Sequence, residues 1–219
     1  MFPFPFSFLS GAAPDVPVDR IANAEVMSFN GTDQYVSAGD FSLNANEGTV
    51  SAWIKSSNTS DFQMIVGKFV SGSRQVQFRK ETNRKIRVIL YKSSTVNSLL
   101  DSTATVSDDN WHHIAFTYNS SGINIYIDGS ASGSNTTNIT PVQTSTDDFI
   151  IGARNISAPE KFFSGQIDEV AVFNKALSGP KIQQIYDATA VVGGVPQTAN
   201  LFTGGLSSSL VYWNRMGDS

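Results

Sequence analysis

Apolar and polar residues alternate along most of this chain with the two-residue period of a half-buried β-strand. Glu25-Val26-Met27-Ser28-Phe29 sets Val26 and Ser28 against Met27 and Phe29, and Gly48–Lys55 places Val50, Ala52 and Ile54 on one face. Further strands are expected over Phe62–Val70, Arg74–Lys80 and Lys85–Tyr91, joined by the hairpin turns Ser71-Gly72-Ser73 and Glu81-Thr82-Asn83-Arg84. Trp111–Tyr118 continues through Asn119-Ser120-Ser121-Gly122 into Ile123–Gly129, another hairpin, and Asp148–Gly152 and Gly165–Phe173 follow as strands. One segment has the helical period instead. Ser178 suits an N-cap, Pro180 falls in the first turn where a missing N–H is harmless, and Leu177 can staple against Ile182. Ile182, Ile185 and Tyr186 then share a face that packs on the strands. The pattern predicts an all-β, antiparallel sandwich with one short C-terminal helix.

A chain of 219 residues suits a single domain of this kind. Three parts are expected: an arm and linker over 1–23, the sandwich over 24–188, and a Gly-rich appendage over 189–219 that wraps the domain or reaches a partner. The arm begins Met1-Phe2-Pro3-Phe4-Pro5-Phe6-Ser7-Phe8-Leu9. It lacks a basic start, is broken by two prolines, and is too short to span a bilayer, so it does not read as a signal peptide. Burying one aromatic ring is worth roughly 1.5–3 kcal/mol. Phe2, Phe4, Phe6 and Phe8 are therefore expected to dock on their own sandwich or on a neighbouring subunit.

Composition narrows the partners. Only 16% of residues are charged and the formal charge is −4, which argues against nucleic acid, since phosphate binding needs a basic face. Lys and Arg gather between Arg74 and Lys92, interleaved with apolar residues, and read as the solvated face of a hairpin. The absence of cysteine excludes disulfides and thiolate metal sites. Six Asn-x-Ser/Thr triplets, at Asn30, Asn58, Asn119, Asn135, Asn138 and Asn155, partly reflect a chain rich in Asn, Ser and Thr.

Phe29-Asn30-Gly31-Thr32-Asp33-Gln34-Tyr35-Val36, Trp111–Tyr118 with its hairpin, and Gly165-Gln166-Ile167-Asp168-Glu169-Val170-Ala171-Val172-Phe173 occur in an order that resembles the LamG-like jelly-roll family. These are concanavalin A-like sandwiches related to laminin G modules and pentraxins, and the resemblance covers roughly residues 24–188. It implies a jelly roll but not one function, since such folds host lectins, adhesion modules, enzymes and structural proteins. It also implies a structural Ca²⁺ joining the first strand region to the last. Asp168 would supply a carboxylate, and the turn holding Asn30 and Asp33 would supply further oxygens. The alternative for Asp168 is a carboxylate that caps backbone N–H groups. Glycan binding, in sandwiches of this type, uses loops at one rim or the concave sheet. The rim candidates are Asp61, Asn83, Arg84, Tyr91, Arg154 and Asn155, while Trp53 and Trp111, within strands, read as core.

Catalytic chemistry finds little footing. The chain has five glutamates, and the Glu-x-Asp-x-x-Glu pattern of β-glucan hydrolases is missing. Asp168 and Glu169 are adjacent, so strand alternation predicts opposite faces. The same holds for His112 and His113, one of which should be buried and hydrogen-bonded. Gly129-Ser130-Ala131-Ser132-Gly133 carries alanine where a nucleophile elbow needs serine. The expected function is therefore a non-catalytic recognition or structural module, a surface-displayed component of a larger assembly such as a phage virion decoration or fibre, with glycans as ligands. The alternatives are a secreted or cell-surface lectin domain and, behind it, a glycoside hydrolase.

Overall fold

The structure is a computed structural model that describes residues 18–21, 23, 25–70, 72–106, 108–154 and 158–216. Phe2, Phe4, Phe6 and Phe8 of the expected arm, and Asn155, lie outside the described residues. The strands are, in chain order, β1 (Arg20–Ile21), β2 (Met27–Asn30), β3 (Val36–Ser37), β4 (Gly48–Lys55) and β5 (Gln63–Val70). They continue with β6 (Ser73–Lys80), β7 (Lys85–Tyr91), β8 (Asn97–Thr105), β9 (His112–Asn119) and β10 (Gly122–Ile127). The last are β11 (Ser130–Asn135), β12 (Ile150–Ile151), β13 (Ser164–Phe173), β14 (Thr198–Ala199) and β15 (Leu210–Asn214), with the helix α1 (Gly179–Ala188) after β13. The strands pair antiparallel throughout.

Two sheets face each other. One runs β11-β10-β9-β4-β13-β15, with β2 also paired to β13; the other runs β3-β12-β5-β6-β7-β8. Alternation along β4 sends Val50, Ala52 and Ile54 inward, where they meet Ile114 and Phe116 of β9 and Val76, Phe78, Val88 and Leu90 from the opposite sheet. Phe78 meets Phe116 edge to face at 5.0 Å between centroids. The outer face of the larger sheet is covered as well. Trp53 stacks on Tyr186 of α1 at 5.7 Å, and Ala171, Phe173, Ile185, Leu201 and Leu206 form a second apolar cluster. The helix keeps its expected start, with Ser178 at the N-cap position and Pro180 in the first turn, although the Ser178 side chain makes no capping bond.

Strands β8 and β11 have no strong apolar alternation, because their buried positions include Ser98, Ser102 and Ser132. Each of the latter two hydroxyls accepts a backbone N–H, Ile86 to Ser102 at 2.9 Å and Ala104 to Ser132 at 3.1 Å. The basic hairpin departs from the solvated face expected of it. Lys80 is 1% exposed and donates to the Asn58 carbonyl, and burial pushes its amine down to about 8. Lys68, on β5, is 0% exposed and holds Asp40 at 2.8 Å and the Phe41 carbonyl at 2.7 Å.

Register brings one set of loops to one end of the sandwich. Ile54 lies opposite His112, Lys55 opposite Gln166, Asn30 opposite Ser164, and Gln63 opposite Lys80. The connections after β2, β4, β6 and β8, and the segment entering β13, therefore gather at a common rim, called the upper rim below. Tyr91, at the far end of β7, sits at the opposite end.

Candidate functional site

The Asp168-Glu169 pair occupies a break in the outer edge of β13. Its first half, Ser164–Ile167, pairs with β2, and its last part, Val170–Phe173, pairs with β15. On the other edge the register to β4 shifts between Asp168 and Ala171, the mark of a β-bulge, and Glu169 takes φ +50°. Ile167 and Val170 both belong to the core between the sheets, so the two residues between them both turn away from it. The opposite faces expected from alternation are thus corrected: the extra residue of the bulge places both carboxylates on the outer face. Both are buried, at 0% and 6% exposure. Asp168 accepts Asn23 Nδ2 at 2.7 Å and the Glu169 N–H at 2.8 Å; Glu169 accepts Thr198 Oγ1 at 2.6 Å and Trp213 Nε1 at 3.0 Å. They fasten the segments before β2 and after α1 to the sandwich.

This geometry does not fit the implied Ca²⁺. Asn30 lies opposite Ser164, four residues before Asp168 on β13, a separation of about 13 Å at strand rise. Asn30 Nδ2 donates to Asp33 at 2.8 Å, while Asn30 Oδ1 accepts the Thr32 and Asp33 N–H groups, which closes a turn. Of the contacts of Asp168, the Glu169 N–H is the kind expected of a cap, while Asn23 Nδ2 is a side-chain amide from the segment before β2. Among the described residues no group of three or more His, Asp or Glu side chains could hold a metal ion.

The upper rim carries a different constellation. Phe62 has Arg79 over its ring at 4.2 Å, Lys161 at 4.7 Å and Arg154 at 5.5 Å; Arg154 also lies 5.1 Å from Phe69, whose other neighbour is Arg74 at 5.0 Å. Cations and aromatic rings thus alternate from Lys161 and Arg79 at Phe62 through Arg154 to Phe69 and Arg74. Carboxylates hold the cations in place: Lys161 to Asp61 at 2.5 Å, Arg154 to Glu160 at 2.5 Å, Arg79 to Glu81 at 2.7 Å. Asp61 is held below its ordinary carboxylate range, first by the hydrogen bond from Lys161. Beside Phe62 opens a cavity of about 260 Å³ lined by Asn58, Asp61, Gln63, Glu160 and Lys161. The buried Lys80 anchors the Asn58 side of this wall.

Of the rim residues expected from sequence, Asp61 and Arg154 flank Phe62 here, and Asn83 and Arg84 lie at the same end in the β6–β7 turn. Tyr91 is 5% exposed at the opposite end and accepts Gln77 Nε2 at 2.6 Å, so it is a packing residue. Phe62 and Lys161 were not distinguishable in sequence from ordinary loop residues, since they meet each other, and Phe62 meets Arg154, across about 100 positions of chain.

Trp111 also departs from expectation. It is half-buried and lines a second rim cavity, of about 320 Å³, with Lys55, Asp109, Asn110, Val191 and Gly194. Its neighbours, the two histidines, alternate as expected, but the buried one is the unbonded one. His113 is 1% exposed against Trp53, its Nδ1 has no partner among the described residues, and burial pushes it down to about 4. His112 instead bridges Asp128 at 2.8 Å and Asp108 at 3.1 Å, and the Asp128 hydrogen bond raises its pKa.

The profile of the family described as the concanavalin A-like lectin/glucanases superfamily matches residues 30–183. No curated protein sequence matches the chain. Among solved structures it is similar to a heptameric SAP-like pentraxin from Limulus polyphemus, at 17% identity and TM-score 0.61, over 87% of this chain and 90% of that one. A protein of Bacteroides ovatus described as carbohydrate binding is similar at 17% identity and TM-score 0.62, over 91% of this chain and 52% of that one. The ligand-binding domain of botulinum neurotoxin serotype D in complex with N-acetylneuraminic acid follows at 18% and 0.55, over 78% and 46%. The chain thus spans about half the length of the last two. At these identities the likeness is one of fold.

Proposed function

Because this chain belongs to the concanavalin A-like lectin/glucanase superfamily, we propose that it is a non-catalytic carbohydrate-recognition domain that receives glycan at its upper rim. One observation carries this reading: Phe62 stands at an open cavity among fork-like and carboxylate groups already fixed by one another. Concave sites with an aromatic wall and a few convergent polar groups are the usual chemistry of small-ligand recognition, and fixed groups lose little entropy on binding. The carbohydrate-binding description of the Bacteroides ovatus protein and the N-acetylneuraminic acid of the neurotoxin complex support the same class of ligand. A surface or extracellular setting follows from it.

Asp61 and Glu160 line the same cavity, and hydrolysis would need one such carboxyl protonated. Asp61, lowered by Lys161, is poorly suited to be that acid. The decisive experiment is a glycan array with the intact chain, followed by titration of the bound glycans against Phe62→Ala and Lys161→Ala. Saturable binding weakened about tenfold in both variants is expected, through loss of a charged hydrogen bond in Lys161→Ala and of an aromatic contact in Phe62→Ala. No saturable binding, or release of cleaved products, would overturn the reading.

A second reading, membership of a larger assembly such as a virion, is favoured by the four phenylalanines of the expected arm. Deleting residues 1–10 should then lower the sedimentation coefficient while leaving the melting temperature unchanged. An unaltered sedimentation profile would count against it.

A further inference from the structure

We infer that the Trp111 cavity is a second binding site, for an uncharged pyranose unit of the glycan. The inference rests on the carbohydrate reading above but on different residues. The indole is held in one orientation, because its Nε1 donates to the Gly194 carbonyl at 3.0 Å. The indole so held lines the cavity together with Val191, itself 43% exposed. Two charged side chains converge on the same space, Lys55 from the end of β4 and Asp109 from the turn before β9. Among the described residues neither makes an ion pair or hydrogen bond, in contrast to the paired charges around Phe62. Asp109 takes φ +63°, a left-handed turn conformation that aspartate adopts more readily than most residues.

The chemistry of the lining selects the ligand. An anion would gain from Lys55 and lose to Asp109, and a cation the reverse. A purely apolar molecule would cover the indole but strip water from both charges without replacing it. A sugar ring meets all three demands. Its C–H face covers the indole, one hydroxyl donates to Asp109, and another accepts from Lys55. The volume of about 320 Å³ lies at the small end of ligand sites. Lys55 lines this cavity and Asn58 the cavity at Phe62, so the β4–β5 connection separates the two, and an oligosaccharide crossing that loop would occupy both.

The test is an array of neutral and acidic oligosaccharides probed with the full chain and with Trp111→Ala, Asp109→Asn and Lys161→Ala, each checked for a cooperative melt. The expected result is that neutral oligosaccharides lose about tenfold or more in affinity in Trp111→Ala and Asp109→Asn, while keeping measurable affinity in Lys161→Ala. If Trp111→Ala fails to fold, the exposed Asp109→Asn decides. Undiminished binding of neutral glycans in Asp109→Asn and in any folded Trp111→Ala, with loss confined to Lys161→Ala, overturns the second site and leaves the carbohydrate reading standing. No glycan retained by the unaltered chain overturns both.

Discussion

His112 and His113 are neighbours in sequence and opposites in electrostatics. His113 is buried against Trp53, so its folded pKa of about 4 lies below the value of about 6.5 it has when unfolded. Stability from keeping it neutral is present above about 6.5 and is lost as pH falls toward about 4, by roughly 3 kcal/mol. His112 runs the other way. Its pKa is raised by Asp128 and Asp108, so its contribution is complete below about 6.5 and fades as pH rises through the folded value. Urea midpoints should therefore fall between pH 6.5 and 4.5 in the parent chain and fall less in His113→Phe. His112→Gln should lose more stability at pH 5.5 than at pH 8. Equal pH slopes in His113→Phe and parent would refute the burial argument. The residue pattern foretold that one of these imidazoles is buried; which one bonds to aspartates depended on Asp128, a turn residue in the next hairpin.

At the scale of elements, β13 organises both ends of the chain. Its outer edge is divided between β2 and β15, and the bulge between them puts Asp168 and Glu169 under cover. Leaving a buried hydrogen-bond donor unsatisfied costs about 1–3 kcal/mol. Asp168→Asn keeps shape but loses charge, and should lower stability by about 2 kcal/mol; Glu169→Ala, which strands Thr198 and Trp213, should cost more. Chemical denaturation of both variants would check the order. Because protein donors hold Asp168, EDTA should leave the melting temperature of the parent chain unchanged; a fall in EDTA would restore the implied calcium. The strand itself was plain from Gln166–Phe173. The bulge was not, because the register shift arises between β13 and β4 and has no glycine or proline at Asp168-Glu169 to announce it.

For the molecule as a whole, the segment after α1 is part of the domain's packing. Tyr212 stacks on Phe41 at 4.9 Å, Met216 is 0% exposed in the core, and Trp213 meets Phe202 at 5.6 Å. Deleting residues 206–219 would uncover the lower edge of β13 and remove these contacts. A loss of about 3–5 kcal/mol is expected, or roughly 10 °C in melting temperature at this size, with aggregation through the freed edge. An unchanged melt would mean that the segment is dispensable.

The architecture was legible in advance because it rests on a local rule: alternate side chains on a strand point to opposite faces, so Val50, Ala52 and Ile54 had to be a core face wherever the strand went. Helix α1 was equally local, since its proline, apolar face and N-cap position lie within one short segment. Strands rich in serine, β8 and β11, escaped because their buried positions are satisfied by hydrogen bonds instead of apolar contact. The sites belonged to the tertiary structure for a related reason. Phe62 is flanked by Lys161 and Arg154, and Trp111 is tied to Gly194, by pairings that span about 100 residues. Periodicity determines which way a side chain faces, but only the closed sandwich decides what stands beside it.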